Sequence, residues 1–357
     1  MFRKLIAIGV IGIIVGGYFA KDKITLFIAA HKSSLNKEVV EYYFDATVGL
    51  DSLAADLFNK KVIEYPKSFV LLGEYKNLNS KRLASGKYLL KPSTSYKDVL
   101  NGFTINSNGN GNAEVEVDVT FNNCKNIEQL VGKVSKNLLL DSVSLINYIK
   151  SDSVLKKYGF TWEQMPAMFI PNTYRMFYDT DPAKFVARMA KEFKSFWSLE
   201  RKNKLKEIGL NSPSEAVTLA SIVYSEQTRV KKEWPIIAGL YLNRLKKGIR
   251  LQSDPTFKFC WGDKLDKVQR LLAKHREIDC AYNTYKINGL PPGPICIPSS
   301  KVVDAVLNRA EVKYIFMCAK PDYSGEHNFA VNGLVHGRNA RLFQKWIANE
   351  LKKQNGK

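Results

Sequence analysis

One acidic residue, Glu226, lies inside an apolar stretch that runs from Leu219 to Thr228 with helical spacing. At about 100° per residue, a helix would place Glu226 between Ile222 and Val223 and almost in line with Leu219. This segment must therefore pack as a helix that turns its acid toward the interior. Burial disfavours the ionised carboxylate and raises its pKa, which suits a general acid near neutral pH. A structural Glu, paired with an Arg or with backbone amides, is the alternative.

The helix that carries Glu226 and the helix after it have clear boundary signals. Ser212 can cap the first helix, Pro213 suits its first turn, and Glu215 completes a capping box. The second helix is predicted from Pro235 to about Lys247, because Gly248 follows as a terminator. Two consecutive helices are therefore expected around the buried acid.

The N-terminus has the pattern of a membrane-targeting segment. Arg3 and Lys4 precede an uncharged apolar run from Leu5 to Ala20, and Lys21, Asp22 and Lys23 close it. The run is slightly shorter than the roughly 17 to 25 residues of a membrane span, but flanking Lys side chains can extend it by snorkelling. A cleaved signal peptide is the competing interpretation. Because no small-x-small cleavage site follows the run, we expect residues 1–22 to form an uncleaved signal anchor.

The composition limits the partners of the chain. A hydrophobic fraction of 45% over 357 residues is enough for two domains with real cores. The formal charge of +20 implies attraction to polyanions such as nucleic acid, anionic lipid or an acidic polymer. The sequence has no zinc-finger spacing, no aromatic-basic RNA-binding signature and no dense basic block, so we predict no nucleic-acid partner.

The cysteines and histidines show no metal-ligand spacing. The sequence contains no CxxC and no HxxxH pair, so we predict neither a metal site nor a cofactor. The odd number of cysteines does not fit a disulfide framework, and we expect buried free thiols with room for one bridge. The residues concerned are Cys124, Cys260, Cys280, Cys296, Cys318, His31, His275, His327 and His336.

The segment after the anchor is predicted to be a small α+β module. Strand, helix, helix, strand and a short helix follow one another closely. These elements are predicted at Glu38 to Val48, Asp51 to Asn59, Lys67 to Lys76, Gly86 to Leu90 and Tyr96 to Leu100. A polar, Gly-rich turn at 106–112 follows, and we place the module at residues 37–107.

The remainder, residues 113–357, is predicted to be a domain of helices and short strands. Its elements are a strand from Glu114 to Phe121, helices from Ile127 to about Leu205, strands at 313–319 and 328–331, and a helix at 337–352. Irregular segments at 251–256, 282–285 and 289–294 are rich in Asn, Thr, Tyr and Pro, which is typical of a carbohydrate or peptide groove. The predicted fold class of the chain is α+β.

Several short motifs occur together in a recognisable order and spacing. They are Ala220-Ser221-Ile222-Val223 with Glu226, Leu242-Asn243-Arg244-Leu245, Gln252-Ser253-Asp254-Pro255-Thr256, Tyr282-Asn283-Thr284-Tyr285 and Gly289-Leu290-Pro291-Pro292-Gly293-Pro294-Ile295. On these motifs the chain resembles the endolytic murein transglycosylases, the YceG-like or MltG family. The resemblance is strong over residues 160 to 345. It is looser in the N-terminal part, where the small module is similar to the family's LysM-like subdomain.

The resemblance places Glu226 at the family's catalytic glutamate. It implies cleavage of the β-1,4 bond between N-acetylmuramic acid and N-acetylglucosamine inside a glycan strand, with a 1,6-anhydro ring at the product end. One carboxyl suffices for this reaction, because the muramic 6-hydroxyl is the nucleophile and Glu226 acts first as acid and then as base. A glycoside hydrolase instead uses two carboxyls, about 5 to 9.5 Å apart. Tyr224 stands where many members carry another acid.

Polar residues of the same motifs and of the last strand are expected to bind the sugars. They are Asn243, Gln252, Asp254, Thr256, Tyr282, Asn283, Tyr285, His327 and Asn328. Each also has a structural alternative, as a helix cap, a turn former or a core residue.

The resemblance also implies peptidoglycan glycan strands and the cell membrane as partners, and association with penicillin-binding synthases. The catalytic domain would lie on the extracytoplasmic, or periplasmic, side of the inner membrane and limit the length of nascent strands. The LysM-like module would either bind glycan or act as a spacer. A non-catalytic glycan-binding scaffold and an ordinary hydrolase are the competing hypotheses.

Overall fold

The computed structural model describes residues 21, 23–265 and 272–355. A helix over residues 23–31 begins the continuous part. The predicted anchor, residues 1–22, lies outside the described residues except for Lys21. Within the described ranges, no helix combines the length and the apolar character that a membrane span requires.

The chain forms two compact units. The first comprises the residues up to Val119 together with Asn137–Leu140 and Tyr174–Asp181. The second comprises Thr120–Lys136, Asp141–Thr173 and the residues from Pro182 onward.

The first unit contains a three-stranded antiparallel sheet and a set of short helices. Its strands are β1 (Val40–Phe44), β2 (Gly86–Leu90) and β3 (Glu114–Val115), in that spatial order. Its helices include α1 (Gly49–Asn59), α2 (Pro66–Tyr75) and α3 (Tyr96–Phe103). The predicted order of strand, helix, helix, strand and helix is confirmed. β3 lies beyond the predicted module boundary at residue 107 and still pairs with β2.

Aromatic side chains fill the core of the first unit. The ring of Phe103 meets those of Tyr42 and Phe44 edge to face, with centroids 5.8 and 5.2 Å apart. Tyr88 is also buried, and its hydroxyl donates to the Ala84 carbonyl at 2.7 Å. A buried Tyr normally finds such a partner for its hydroxyl, so these rings stabilise the unit without leaving an unpaired polar group.

The predicted strand from Glu114 to Phe121 is interrupted at Glu116. β3 ends at Val115, whereas β4 (Val117–Phe121) pairs with a strand that was not predicted, β5 (Asn172–Met176). The expectation of helices from Ile127 to Leu205 is therefore wrong at β5. Pairing with β4 holds this short segment extended, and such a non-local contact leaves little signal in the sequence.

The second unit is mainly helical and contains one short hairpin-like sheet. Its helices are α4 (Ile127–Val134), α5 (Ser142–Lys150), α6 (Asp152–Tyr158), α7 (Pro182–Phe196), α8 (Leu199–Glu207), α9 (Pro213–Glu226), α10 (Trp234–Lys246), α11 (Asp254–Trp261), α12 (Ser300–Leu307) and α13 (Gly333–Asn355). The strands β6 (Phe316–Ala319) and β7 (His327–Ala330) pair antiparallel. The α+β class is thus confirmed.

Helix α9 lies in the core of the second unit. Leu219, Ile222 and Val223 are fully buried there, as the apolar run predicts. Ser212 caps the helix by accepting the Glu215 backbone N–H at 3.2 Å. The Glu215 carboxylate accepts the backbone N–H of Asn211 at 2.7 Å, one residue before the cap position that a capping box would use.

Of the next two helices, one agrees with the sequence prediction and one does not. Helix α10 confirms its prediction to within one residue, and Gly248 follows it with a φ of 65°. Segment 251–256, expected to be irregular, instead leads into α11, with Pro255 in the first turn, where a missing N–H costs nothing. A disulfide joins Cys260 of α11 to Cys280, and the other three cysteines are free thiols.

Candidate active site

Glu226 is the last residue of α9 and lines a cleft of about 610 Å³ in the second unit. Its carboxyl is partly buried. The Oε1 atom accepts hydrogen bonds from Tyr241 Oη at 2.7 Å and from Ser253 Oγ at 2.5 Å. Among the described residues, both of these donors bond to Oε1, and none bonds to Oε2. The carboxyl is therefore held in one orientation and still faces the cleft.

Burial raises the pKa of Glu226 above its ordinary value, and the negative charge of Asp254 adds to the rise. The hydrogen bonds from Ser253 and Tyr241 and the nearby His327 act in the opposite direction but are outweighed. Burial also raises the pKa of Tyr241, so its hydroxyl keeps its proton and remains a donor. A carboxyl in this place retains its proton to a higher pH than an exposed Glu does.

Two of the sequence motifs combine to position Ser253. The Ser253 N–H donates to Thr284 Oγ1 at 2.9 Å, and the Gln252 N–H donates to the Thr284 carbonyl at 3.1 Å. Thr256 Oγ1 donates to the Ser253 carbonyl at 2.6 Å and lies 2.8 Å from Thr284 Oγ1. Segments 252–256 and 282–285 thus form a clamp, and this clamp presents the Ser253 hydroxyl to Glu226.

A second carboxyl, that of Asp254, lines the same cleft. Tyr285 Oη donates to Asp254 Oδ1, and the Arg276 guanidinium lies 3.4 Å from the same carboxylate. The Arg276 guanidinium also lies over the Tyr285 ring, 5.0 Å from its centroid. Burial, with Asp254 beside it, raises the pKa of Tyr285, so Tyr285 is a donor near neutral pH. Asp254 is therefore a paired acid, whereas among the described residues no Lys or Arg forms an ion pair with Glu226.

Arg244 forms part of the cleft wall. It is buried, and its guanidinium donates to the carbonyls of Arg250 and Ile315 at 2.9 and 2.8 Å. It also donates to Gln252 Oε1 at 2.6 Å. Because Gln252 has a φ of 50°, unfavourable for a residue other than Gly, this contact helps to hold a strained turn.

Another acid, Glu233, is buried beside the cleft. Its carboxylate accepts the Gln227 side-chain amide at 2.9 Å and the His327 backbone N–H at 2.9 Å, and it lies 2.8 Å from His327 Nδ1. The Gln227 carbonyl in turn accepts Trp234 Nε1 at 2.6 Å. This network fixes the His327 ring, which lines the cleft. Gln227, the residue after Glu226, therefore connects the end of α9 through Glu233 to His327 in the cleft wall.

Part of the predicted sugar-binding set lines the cleft together with Glu226. These residues are Gln252, Asp254, Tyr285 and His327. They come from three separate stretches of sequence and are brought to one cavity by the clamp, by α11 and by β7.

Other residues of the predicted set hold the backbone instead of lining the cleft. The Asn243 amide donates to the carbonyls of Val312 and Tyr314 at 2.7 and 3.1 Å. The fully buried Asn283 donates to two carbonyls of the 276–278 segment, both at 2.8 Å, and Thr256 belongs to the clamp. For these residues the geometry favours the structural alternative.

Tyr282 and Asn328 lie at the periphery of the cleft. Tyr282 lines a neighbouring cavity and packs on Phe259, with ring centroids 4.6 Å apart. Asn328 is part of β7, where it pairs with Cys318 of β6. Neither side chain belongs to the lining of the cleft that contains Glu226.

The structure adds residues that the sequence did not single out. Ser253 lay within a quoted motif, but its hydroxyl could not be assigned to Glu226 without knowing how the motifs meet. Tyr241 lies two positions before Asn243 on α10. Its hydroxyl stands in an otherwise apolar stretch, and this pattern could have indicated a buried hydrogen-bond donor. Glu233 follows Lys231 and Lys232, and such a charged run is typical of an exposed turn. Nothing in the sequence indicates that Glu233 is buried. Among the described residues, no group of three His, Cys, Asp or Glu side chains could hold a metal ion.

The family model of the YceG-like family matches residues 45–342. The chain belongs to the YceG-like family. The match includes the Glu226 helix, the clamp and the β6–β7 pair, and it also extends over most of the first unit. The resemblance predicted from the motifs is thus confirmed.

Individual relatives and one solved structure agree with this assignment. An endolytic murein transglycosylase of Bacillus subtilis (strain 168) is 33% identical over 174 residues, which are 46% of this chain and 46% of the relative. A protein of the same name from Streptococcus pneumoniae serotype 2 is 22% identical over 350 residues, covering 91% of this chain and 62% of the relative. The chain therefore spans about half the length of the curated relatives it matches. The crystal structure of a yceG-like protein from Listeria monocytogenes shares the fold with a TM-score of 0.54 and 23% identity, covering 85% of this chain and 99% of that one.

Proposed function

We propose that this protein is an endolytic peptidoglycan lytic transglycosylase, which cleaves the β-1,4 bond between N-acetylmuramic acid and N-acetylglucosamine within glycan strands. The observation that carries the proposal is the Glu226 carboxyl, which lines the cleft with a raised pKa and is held by two hydroxyl donors. The name of the relatives, endolytic murein transglycosylase, supports the same activity.

In the first step, protonated Glu226 acts as the general acid. Its proton passes to the glycosidic oxygen while the bond from that oxygen to C1 of N-acetylmuramic acid breaks, and the bonding electron pair leaves with the oxygen. The carboxylate that remains accepts the hydroxyls of Tyr241 and Ser253. Hydrogen bonds to a charged acceptor are stronger than those to a neutral one, so these two donors stabilise the intermediate state more than the starting state.

In the second step, the Glu226 carboxylate acts as the general base. It removes the proton of the muramic 6-hydroxyl, and the 6-oxygen bonds to C1 to close a 1,6-anhydro ring. No water is consumed, and Glu226 is protonated again at the end of the cycle. The Asp254 carboxylate is a fixed negative charge in the same cleft, and it favours the positive charge that develops on the sugar between the two steps.

The polar residues of the cleft wall would bind the sugars. Gln252, Tyr285 and His327 present an amide, a phenol and an imidazole to the cavity, which suit sugar hydroxyls and N-acetyl groups. Their own partners in the protein hold them in place, so little side-chain entropy is lost when the ligand binds.

The cellular setting belongs to the same proposal and rests on the apolar N-terminal run and on the resemblance to the family. Residues 1–22 would anchor the protein in the cell membrane, with the catalytic domain on the extracytoplasmic side, where it limits the length of nascent strands. The charge of +20 suits a surrounding matrix of peptide-stem carboxylates and anionic head groups. Penicillin-binding synthases are the proposed protein partners, and the LysM-like module is the proposed second contact to glycan.

Product analysis tests the proposal. The full-length chain in detergent is incubated with purified sacculi, and the released fragments are analysed by mass spectrometry. We expect muramic ends that carry the 1,6-anhydro ring. Reducing ends, heavier by one water, would contradict the proposal and favour a hydrolase, a possibility raised by the presence of Asp254 as a second carboxyl in the cleft.

A further inference from the structure

A second cavity opens beside the end of α9. It has a volume of about 1210 Å³, and all its lining residues belong to the second unit. We call it the aromatic groove and define it by Trp162, Ser225, Lys258, Phe259, Tyr282 and Phe343, which are among its lining residues. A pocket for one small molecule measures roughly 300–1,000 Å³, so this groove has room for a longer ligand.

The aromatic groove adjoins the cleft that contains Glu226. Ser225 lines the groove and the next residue, Glu226, lines the cleft. In the same way Pro255 lines the groove and Asp254 lines the cleft, while Phe343 borders both cavities. The two cavities are therefore neighbours, and the end of α9 that carries Glu226 lies beside both of them.

The chemistry of the aromatic groove suits the faces of sugar rings. Phe259 and Tyr282 form an aromatic pair with centroids 4.6 Å apart, and 37% of Phe259 is exposed. The Lys150 ammonium lies over the Trp162 ring, 4.7 Å from the ring centroid. Burial raises the pKa of Tyr282 to about 12, so the groove presents a neutral phenol. Flat, partly exposed rings pack well against the C–H bonds on the face of a pyranose.

The charged residues of the aromatic groove are of both signs. Lys125 lies 3.8 Å from Asp263, and Lys258, Glu128 and Glu163 line the same cavity. A groove for a polyanion would be lined by one sign of charge. Mixed charges next to aromatic rings favour a ligand that is rich in hydroxyl and amide groups, as an N-acetylated glycan is.

We propose that the aromatic groove binds further sugars of the same glycan strand, beyond those that flank the bond at Glu226. The identity of the strand rests on the proposed function, whereas the groove and its position next to the cleft do not. A strand that fills both cavities must extend past the cleavage point, so binding should strengthen with strand length until the groove is filled.

Binding to strands of defined length tests this inference. The full-length chain carrying E226Q, which binds without cutting, is titrated with uncrosslinked glycan that has been separated into a tetrasaccharide and much longer strands. In the Trp162→Ala/Phe259→Ala variant we expect the affinity for long strands to fall about tenfold, which is about 1.4 kcal/mol, with no change for the tetrasaccharide. Tryptophan fluorescence and thermal unfolding verify that each variant is folded.

Two matched variants complete the experiment. Phe259→Tyr keeps an aromatic ring in the groove and should bind long strands like the parent. Tyr323→Ala removes an aromatic residue that is 76% exposed and lines neither cavity, and it should also leave binding unchanged.

The inference is overturned if the folded double variant binds long strands as tightly as the parent, or if Tyr323→Ala weakens binding equally. The outcome for the proposed function is read separately, from the products of the unaltered chain. Absence of anhydro ends with length-dependent binding intact would refute the chemistry and leave the groove supported.

Discussion

Replacing Glu226 with Gln should abolish activity without destabilising the protein. In the wild type, the hydroxyls of Tyr241 and Ser253 lie 2.7 and 2.5 Å from Glu226 Oε1. In E226Q the amide oxygen takes the place of Oε1 and can accept the same two hydrogen bonds. The proton donor is lost, and general acid–base catalysis contributes roughly 10²–10⁴-fold per transferred proton. Since Glu226 is used as acid and then as base, we expect release of anhydro fragments to fall by at least about 10²-fold.

The stability of the wild type relative to E226Q should decrease as the pH rises. Because folding raises the pKa of Glu226 from its ordinary 4.5, the native state binds the proton more tightly than the unfolded chain does. Below pH 4.5 the carboxyl is protonated in both states, and its burial carries no charge penalty. As the pH rises through the folded pKa, the wild type loses stability by about 1.4 kcal/mol for each unit by which the two values differ. E226Q lacks this loss, so it should melt at the same temperature or higher at pH 7.5 and lose that advantage near pH 4.

Thermal unfolding, followed by tryptophan fluorescence, measures the stability difference between E226Q and the wild type in the second unit of the protein. All five tryptophans lie in the second unit, so the signal reports on the part that contains Glu226. One kcal/mol corresponds to roughly 2–4 °C for a unit of this size. The control is Glu226→Ala, which leaves two hydroxyls without an acceptor at a cost of about 1–3 kcal/mol each and should melt well below both. If E226Q melts clearly below the wild type at pH 7.5, the carboxylate stabilises the fold, and the proposal that Glu226 is a general acid with a raised pKa is refuted.

Three further predictions concern the surroundings of Glu226. Ser253→Ala removes a hydrogen bond that lowers the pKa of Glu226, so the limb of the pH–activity profile that reflects loss of the acid should move to higher pH. Reducing the bond between Cys260 and Cys280, which are 20 residues apart, should destabilise the second unit by about 3 kcal/mol in denaturant unfolding, with a C260S/C280S variant showing the same loss. Ile222→Ala, at a fully buried position of α9, should cost about 2–5 kcal/mol, and the exposed Leu199→Ala should cost far less.

The sequence was informative about local elements and about which motifs matter, but not about how the motifs meet. Ser212, Pro213 and Gly248 define helix ends through their own backbone chemistry, and the predicted boundaries there agree with the structure. The hydroxyl of Ser253 and the phenol of Tyr241 converge on one carboxyl only because separate helices pack together. No periodicity encodes such a contact.

The polar residues show the same division. Asn283 and Tyr285 occur two positions apart in one motif, yet one is fully buried against backbone carbonyls and the other lines the cleft. Both are polar residues of one motif, and the sequence alone does not show which of them lines the cleft. Only the path of the 276–285 segment over α11 decides which side chain turns inward, and that path is a property of tertiary packing.

The position of Glu226 at the last residue of α9, and not within the helix, bears directly on its proposed role. The carboxyl end of a helix carries partial negative charge, which disfavours a carboxylate by typically 0.3–1 kcal/mol. Burial and the charge of Asp254 act in the same direction, and only the hydroxyls of Tyr241 and Ser253 and the nearby His327 oppose them. The oxygens of a structural acid would instead accept hydrogen bonds from the surrounding protein, as those of Glu233 do from the Gln227 amide and the His327 backbone N–H. The contrast between these two acids, seven residues apart in sequence, is the physical reason to propose proton transfer for Glu226 and a positioning role for Glu233.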